Sequence, residues 1–490
     1  MSIILRLGRN TAIYTVTSVL QRGVSFLLLP IYARFLSQED FGIFTVISIV
    51  SAALATTFML SLNGAVTRYW FEYRDDPERL RDFLGTTITF MLLCCGALGG
   101  LLLAAGAWLL SPVLGDVAFW PYAALGVAAS IFQPLVTTYL ALLQTEEHTT
   151  RFAVLSLAQF TLTMGVAVTT VVALGAGAEG PLAANLVATA ALFIASIMSL
   201  RGRVRFVLDR SHLAVAFRYS LPLVPHSWMG QIQVIVDRLL LNGLIGPTAA
   251  GLYQVAYLIG GVLAIATDSA NRAFVPIAMD ALRRDRQGGL DELRDLGSVM
   301  VIGFCMLAAG IGAFAPELVS ILATERYIAA SVLVPLVAVA FAAIGIYYVL
   351  VNILFYVTSG TSYVMLGTMA SGVSSISLNL YLIPTMGPQG AAFSLLCSQV
   401  IAAVVIGVIG FRFERVRWRY AAFIASLGLA IMVAYSQVLL DMTSLGWRVL
   451  AKMAVLALLY VLLNFLHWGR ANFLGEHVGH YFRVRWASSG

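Results

Sequence analysis

Apolar runs of membrane length, repeated along the whole chain and parted by short polar breaks, leave this sequence few ways to fold. A hydrocarbon core about 30 Å thick takes about 20 mostly apolar residues per helix. Only helices and closed barrels satisfy their backbone hydrogen bonds there. Fourteen runs meet the length, at roughly 10–36, 41–62, 84–110, 119–143, 152–174, 181–200, 219–244, 251–274, 296–314, 328–358, 364–383, 391–409, 420–440 and 449–467. Hydrophobic residues make up 60% and charged residues 11%, where a soluble domain carries about 25% charged. The expected fold class is an all-α polytopic membrane protein of about 14 transmembrane helices.

The charges count the spans independently. With the N-terminus in the cytoplasm, cytoplasmic segments hold 24 arginines and external loops only Arg326 and Arg448. That asymmetry fits an even number of spans with both termini cytoplasmic. The net charge of +6 therefore reflects loop arginines and gives no reason to expect a nucleic-acid partner. The four cysteines all lie in apolar runs, so neither a disulfide framework, a metal nor another cofactor is expected. The basic flank MSIILRLGRN precedes a run too long for a secretory leader, and it reads as the start of span 1. Every external loop is short, and the larger cytoplasmic pieces, Arg68–Phe83, Arg201–Arg218 and Met279–Asp295, read as amphipathic helices lying at the interface.

Sliding the sequence on itself by about 209 residues reveals an internal repeat. Leu36–Phe44 (LSQEDFGIF) lies over Ile245–Tyr253 (IGPTAAGLY), with Gly42 on Gly251. Asn63-Gly64-Ala65 lies near Asn271-Arg272-Ala273, and the turn Gly177–Gly180 lies over Gly387–Gly390. The halves are spans 1–6 and 7–12. Each has an even number of spans, which makes the repeat a parallel one. The expectation is two pseudo-symmetric six-helix lobes around a central cavity, residues 1–205 and 206–410. Residues 411–490 then hold spans 13 and 14 and a cytoplasmic tail.

Polar groups inside the runs mark candidate site residues, because a charge at membrane depth costs several kcal/mol unless it is paired or hydrated. Thr11, Thr15, Ser18, Arg22 and Ser25 fall on one face of span 1, and His226, Gly230, Gln233 and Asp237 on one face of span 7. Arg22, Arg272, Arg238, Ser18 and Ser25 are candidates for substrate contact in a cavity; Asp237, Asp268 and His226 are candidates for ion or proton coupling. Each has a plainer reading. Asp268 and Arg272 are an i, i+4 pair that could neutralise itself. Arg238 could snorkel to the outer interface or brace the lobe, Arg34 could serve its turn, and His226 could bond a carbonyl. No catalytic motif survives inspection: there is no H-E-x-x-H, no P-loop and no external pair of carboxylates.

Several stretches carry a family resemblance. The turn R-x-L-S-x-E-D-F-G at Arg34–Gly42, the segment SLPLVPHSWMGQIQVIVDRLLLNGLIGPTAAGLYQVAYLI at Ser220–Ile259, and NLYLIPTMGPQGA at Asn379–Ala391 are similar to the polysaccharide-exporter branch of the multidrug/oligosaccharidyl-lipid/polysaccharide flippase superfamily. The resemblance covers essentially the whole chain. It implies translocation of an undecaprenyl-pyrophosphate-linked oligosaccharide between leaflets, by alternating access, for O-antigen or exopolysaccharide biosynthesis. The partners it implies are that lipid-linked oligosaccharide, membrane lipids, and glycosyltransferases and a polymerase of the same pathway. Related lipid flippases line their cavity with arginines on spans 1, 2 and 8; Arg22 and Arg272 match by span, whereas span 2 offers only Arg68 at its cytoplasmic end. Two rival readings are a multidrug cation antiporter of the same superfamily, which would favour acidic cavity residues, and a membrane glycan polymerase or ligase, which would carry a large external loop.

Overall fold

The computed structural model describes residues 23–284, 286–356, 361–413, 418–438 and 444–468, and among them every regular element is helical. Twelve helices in the described residues are long and apolar enough to cross a membrane. They take up the expected spans in order, except the first and the seventh. Span 1 is described from Gly23 as a shorter apolar helix, α1 (Gly23–Phe35), and span 7 is a more polar helix outside the twelve. The chain divides into two compact units, Met1–Gln254 and Val255–Gly490.

The first unit continues with α2 (Gln38–Met59), α3 (Leu62–Tyr73), α4 (Pro77–Leu109), α5 (Phe119–Thr145), α6 (Thr149–Ala173), α7 (Glu179–Leu200), α8 (Arg210–Ser220) and α9 (Val224–Leu244). Three of its helices begin where a side chain satisfies the orphan N–H groups of a first turn. Ser37 caps α2 by accepting from Asp40 N at 2.9 Å, and Asp76 caps α4 at Arg79 N with Pro77 in the first turn. Asp209 caps α8. Hydrogen bonds from the Ser211 hydroxyl and then the His212 and Ser211 amides hold its carboxyl below the usual carboxylate range. Between α2 and α3 the backbone breaks at Leu60 and Ser61, both in the left-handed region (φ 48° and 56°).

The motif around the first turn is structural. Asp40 also reaches across to Ala178, whose N–H donates to Oδ1 at 3.2 Å, tying the start of α2 to the turn before α7. Gly42 lets the chain at Pro247 press against α2: a Cβ added there would stand 1.9 Å from the Pro247 carbonyl oxygen. Gly251, the residue aligned with Gly42 by the repeat, packs on Gly42 itself, 3.0 Å from its Cα for an added Cβ. Gly42→Val should therefore destabilise the folded chain by about 1–3 kcal/mol, the usual cost of overpacking, read as a lowered Tm of the purified protein. An unchanged Tm would show that the contact can open at no cost.

The arginine-rich linker is stapled to the first unit rather than loose. Arg203 makes a two-oxygen bridge to Glu146 at 2.7 and 2.8 Å. Arg205 pairs with Asp82 at 3.2 Å, and the Arg81 guanidinium donates to the Gly202 carbonyl. Beside it lies an apolar core in which Phe58, Val66, Phe83, Tyr139, Leu143 and Phe152 are buried together.

The second unit is entered through α10 (Pro247–Gly260), which crosses its boundary. It then holds α11 (Val262–Arg284), α12 (Arg286–Ala313), α13 (Ala315–Ala323), α14 (Val334–Tyr356), α15 (Thr361–Met386), α16 (Pro388–Phe413), α17 (Tyr420–Ala434) and α18 (Leu445–Trp468). Helix α14 is its spine: 83% of its apolar window is buried, against α11, α12, α16 and α17. Lys452, the one lysine of the sequence, is buried on α18 and bonded to both oxygens of Glu317 on α13 at 2.6 and 2.8 Å. The pair joins the last span to the short helix that follows α12.

Two expected boundaries are corrected. Met279–Asp295 is not a separate interfacial helix, because α11 and α12 run on through it, and Arg68–Phe83 is likewise shared between the end of α3 and the start of α4. In both places a helix reaches past its apolar run, α11 on to Arg284 and α4 back to Pro77, since hydropathy reports lipid contact and not backbone hydrogen bonding. The linker does carry a separate helix, α8, whose last turn holds Arg218.

Candidate functional site

In the first unit the structure brings two candidates together. Arg238 on α9 folds back on its neighbour Asp237, with Nη1 at 2.9 and 3.0 Å from the two carboxylate oxygens. Nη1 also donates to the Val234 carbonyl at 2.9 Å and Nε to Gln254 Oε1 at 3.3 Å, while the guanidinium sits 4.9 Å from the centre of the Tyr253 ring. Both side chains are almost fully buried, 1% and 3% exposed. Snorkelling is thus replaced by an internal pair that ties α9 to the start of α10. A charge pair this enclosed survives because five donors on one planar group can be matched at once.

In the second unit Asp268 is half-buried on α11 and accepts from Tyr348 Oη of α14 at 3.1 Å. One turn on, Asn271 accepts from Asn352 Nδ2 at 2.8 Å. These bonds join α11 to α14 on the face from which the adjacent Arg272 emerges exposed. Ser18 and Arg22 lie outside the described residues. His226 belongs to α9, and its side chain likewise lies outside the described part.

Ser25 is exposed on α1 and contributes to the wall of a cavity of about 580 Å³ inside the first unit. Helices α1, α2, α5, α6 and α7 enclose it, and among the described residues none that lines it carries a charge. Its polar wall is made of amides and hydroxyls, among them Gln133, Gln144, Gln159 and Asn185. Sequence reasoning missed all four. Gln133, Gln159 and Asn185 each stand alone in a run and Gln144 falls just past the first of these, so the one available signal was an uncharged amide on each of three spans.

A second, apolar groove of about 480 Å³ lies in the second unit between α14, α16 and α17. Leu350, Val404, Val408 and Phe411 are among its walls, with Tyr420 and Phe423 beyond them. It can accept a hydrocarbon chain but offers almost nothing to a hydrated group. The two units thus carry cavities of opposite character, one polar and uncharged, the other aliphatic and aromatic.

Comparison with known proteins places this fold. A family model described as "Polysaccharide biosynthesis protein" matches residues 7–281. The "Lsg locus putative protein 1" of Haemophilus influenzae is 25% identical over 291 residues, 58% of this chain and 68% of the relative. Among solved structures, "Lipid II flippase MurJ, inward closed conformation" superposes with a TM-score of 0.71 at 14% identity, covering 93% of this chain and 98% of that one. An inward-facing multidrug resistance transporter of the MATE family gives 0.59 at 15% identity, over 85% and 99% of the two chains. The chain is a multi-pass membrane protein with the fold that flippases and multidrug transporters share.

Proposed function

From the premise that this chain belongs to the polysaccharide biosynthesis protein family, we propose that it is a flippase for a polyprenyl-pyrophosphate-linked oligosaccharide. It would carry that lipid from the cytoplasmic to the outer leaflet of a bacterial inner membrane, with both of its own termini in the cytoplasm. The observation that carries the reading is the coincidence of a polysaccharide family with a fold shared, over 93% of the chain, with a lipid II flippase. The aliphatic groove between α14, α16 and α17 supports it by offering a place for the polyprenyl chain. Arg22 and Arg272 would hold the pyrophosphate through charge-assisted bonds, and the lobes 1–205 and 206–410 would expose them alternately to the two sides.

The resemblance to multidrug transporters leaves a cation antiporter as the rival. Such a protein needs a carboxylate held ready for a cation, and in the first unit Asp237 is already neutralised by Arg238. That favours the anionic lipid.

Deleting the gene from its parent strain decides between them. The deletion should abolish surface polysaccharide and leave lipid-linked oligosaccharide accumulating on the cytoplasmic leaflet, both reversed by the intact gene. Normal surface polysaccharide in the deletion strain, with altered sensitivity to cationic drugs, would replace the flippase with the antiporter.

A further inference from the structure

Among the described residues no cation lines the cavity of the first unit, so its described wall offers a pyrophosphate no charged contact. Among the same residues no carboxylate lines it, so its described wall offers a coupling ion no charged ligand. Its polar equipment is of one kind. Gln133 is fixed by two neighbours: its Nε2 donates to Thr137 Oγ1 at 3.3 Å, and its Oε1 accepts from Thr189 Oγ1 at 3.5 Å. By contrast, among the described residues the side-chain amides of Gln144, Gln159 and Asn185 make no hydrogen bond. Unmatched amides at membrane depth are costly, so they call for water or a ligand.

An amide offers two donors and one acceptor with two lone pairs, which matches a sugar hydroxyl that both donates and accepts. The aromatic rings of Phe44 and Phe160 complete the wall with apolar faces suited to the C–H face of a pyranose. The volume of about 580 Å³ falls within the ~300–1,000 Å³ of small-molecule sites. We infer that this cavity is a binding site for neutral sugar residues of the transported glycan, read by Gln144, Gln159 and Asn185. The inference rests on the flippase reading and deepens it: the phosphate would be held by arginines and the sugar by amides, in different places.

The test uses the full chain, purified in phospholipid nanodiscs, with Thr163→Cys placed in the cavity wall and labelled by a maleimide. The probe is the neutral oligosaccharide released by mild acid from the strain's own lipid-linked pool, free of lipid and phosphate. It should slow labelling of the cysteine, whereas inorganic pyrophosphate should not. Gln159→Leu and Asn185→Leu should each raise the concentration needed for protection about fivefold, the worth of one neutral hydrogen bond. If either variant does not fold, Gln144→Leu, on an exposed residue, carries the same expectation.

No slowing by the released glycan, equal slowing by pyrophosphate, or protection indifferent to the leucine variants would each overturn the assignment. Those failures are separable from failure of the flippase reading. A deletion strain that loses surface polysaccharide, combined with no protection, removes the sugar site and leaves the flippase.

Discussion

Asp237→Asn should be among the most destabilising single changes in this chain, costing about 3–5 kcal/mol, because it strands Arg238 as an uncompensated buried charge. Arg238 is 1% exposed, so it cannot reach water without opening the contact between α9 and the start of α10. Arg238→Met should be comparably costly for the opposite reason, leaving the carboxylate buried. The double change Asp237→Leu/Arg238→Met should recover most of the loss, since a packed apolar pair of similar volume often equals or betters a buried ion pair. Thermal unfolding of the purified variants, compared as a double-mutant cycle, measures the coupling directly. If the double variant is stable yet inactive in the strain, the pair serves transport as well as folding. If it is stable and active, the pair is a brace. Additive single effects would show that the two charges do not depend on one another at all.

That pair shows where sequence reading stops. The spans were legible because a membrane imposes a length and a charge asymmetry that few other constraints imitate. The turn motif was legible too, since Ser37 and Asp40 act within one helical turn of each other. The partnership of Asp237 with Arg238 was not. Adjacent positions on a helix point about 100° apart and are not expected to face each other, and only the length of the arginine lets it fold back. Its further partners, Tyr253 and Gln254, lie on the next helix and carry no local mark. The sugar-sized cavity was harder still, because Gln133, Gln159 and Asn185 come together only when α5, α6 and α7 pack. Helix ends were misplaced at Met279–Asp295 for a related reason: the charges there close the lipid-facing run while α11 continues to Arg284 and α12 already starts at Arg286.

The wall formed by Ser25 also sharpens the expectation for Arg22, three positions earlier in the sequence. Residues three and four apart share a helical face, and the spacing of Ser18, Arg22 and Ser25 is 4 and 3. In the proposed function Arg22 holds the pyrophosphate, and a small apolar side chain there would remove that contact. Arg22→Ala should then abolish export in the complementation assay while membrane abundance stays normal. Loss of one desolvated charge-assisted contact is worth about 2–5 kcal/mol, which at 1.4 kcal/mol per decade is at least tenfold in transport. Arg22→Lys separates the two ways an arginine can act. Rescue by lysine would show that a point charge suffices, and failure would show that the planar fork, which grips two phosphate oxygens at once, is required. Full export by Arg22→Ala would remove span 1 from the headgroup site. The pyrophosphate would then have to be held by Arg272, exposed on α11, and Arg272→Ala in the same strain should show the loss that Arg22→Ala did not.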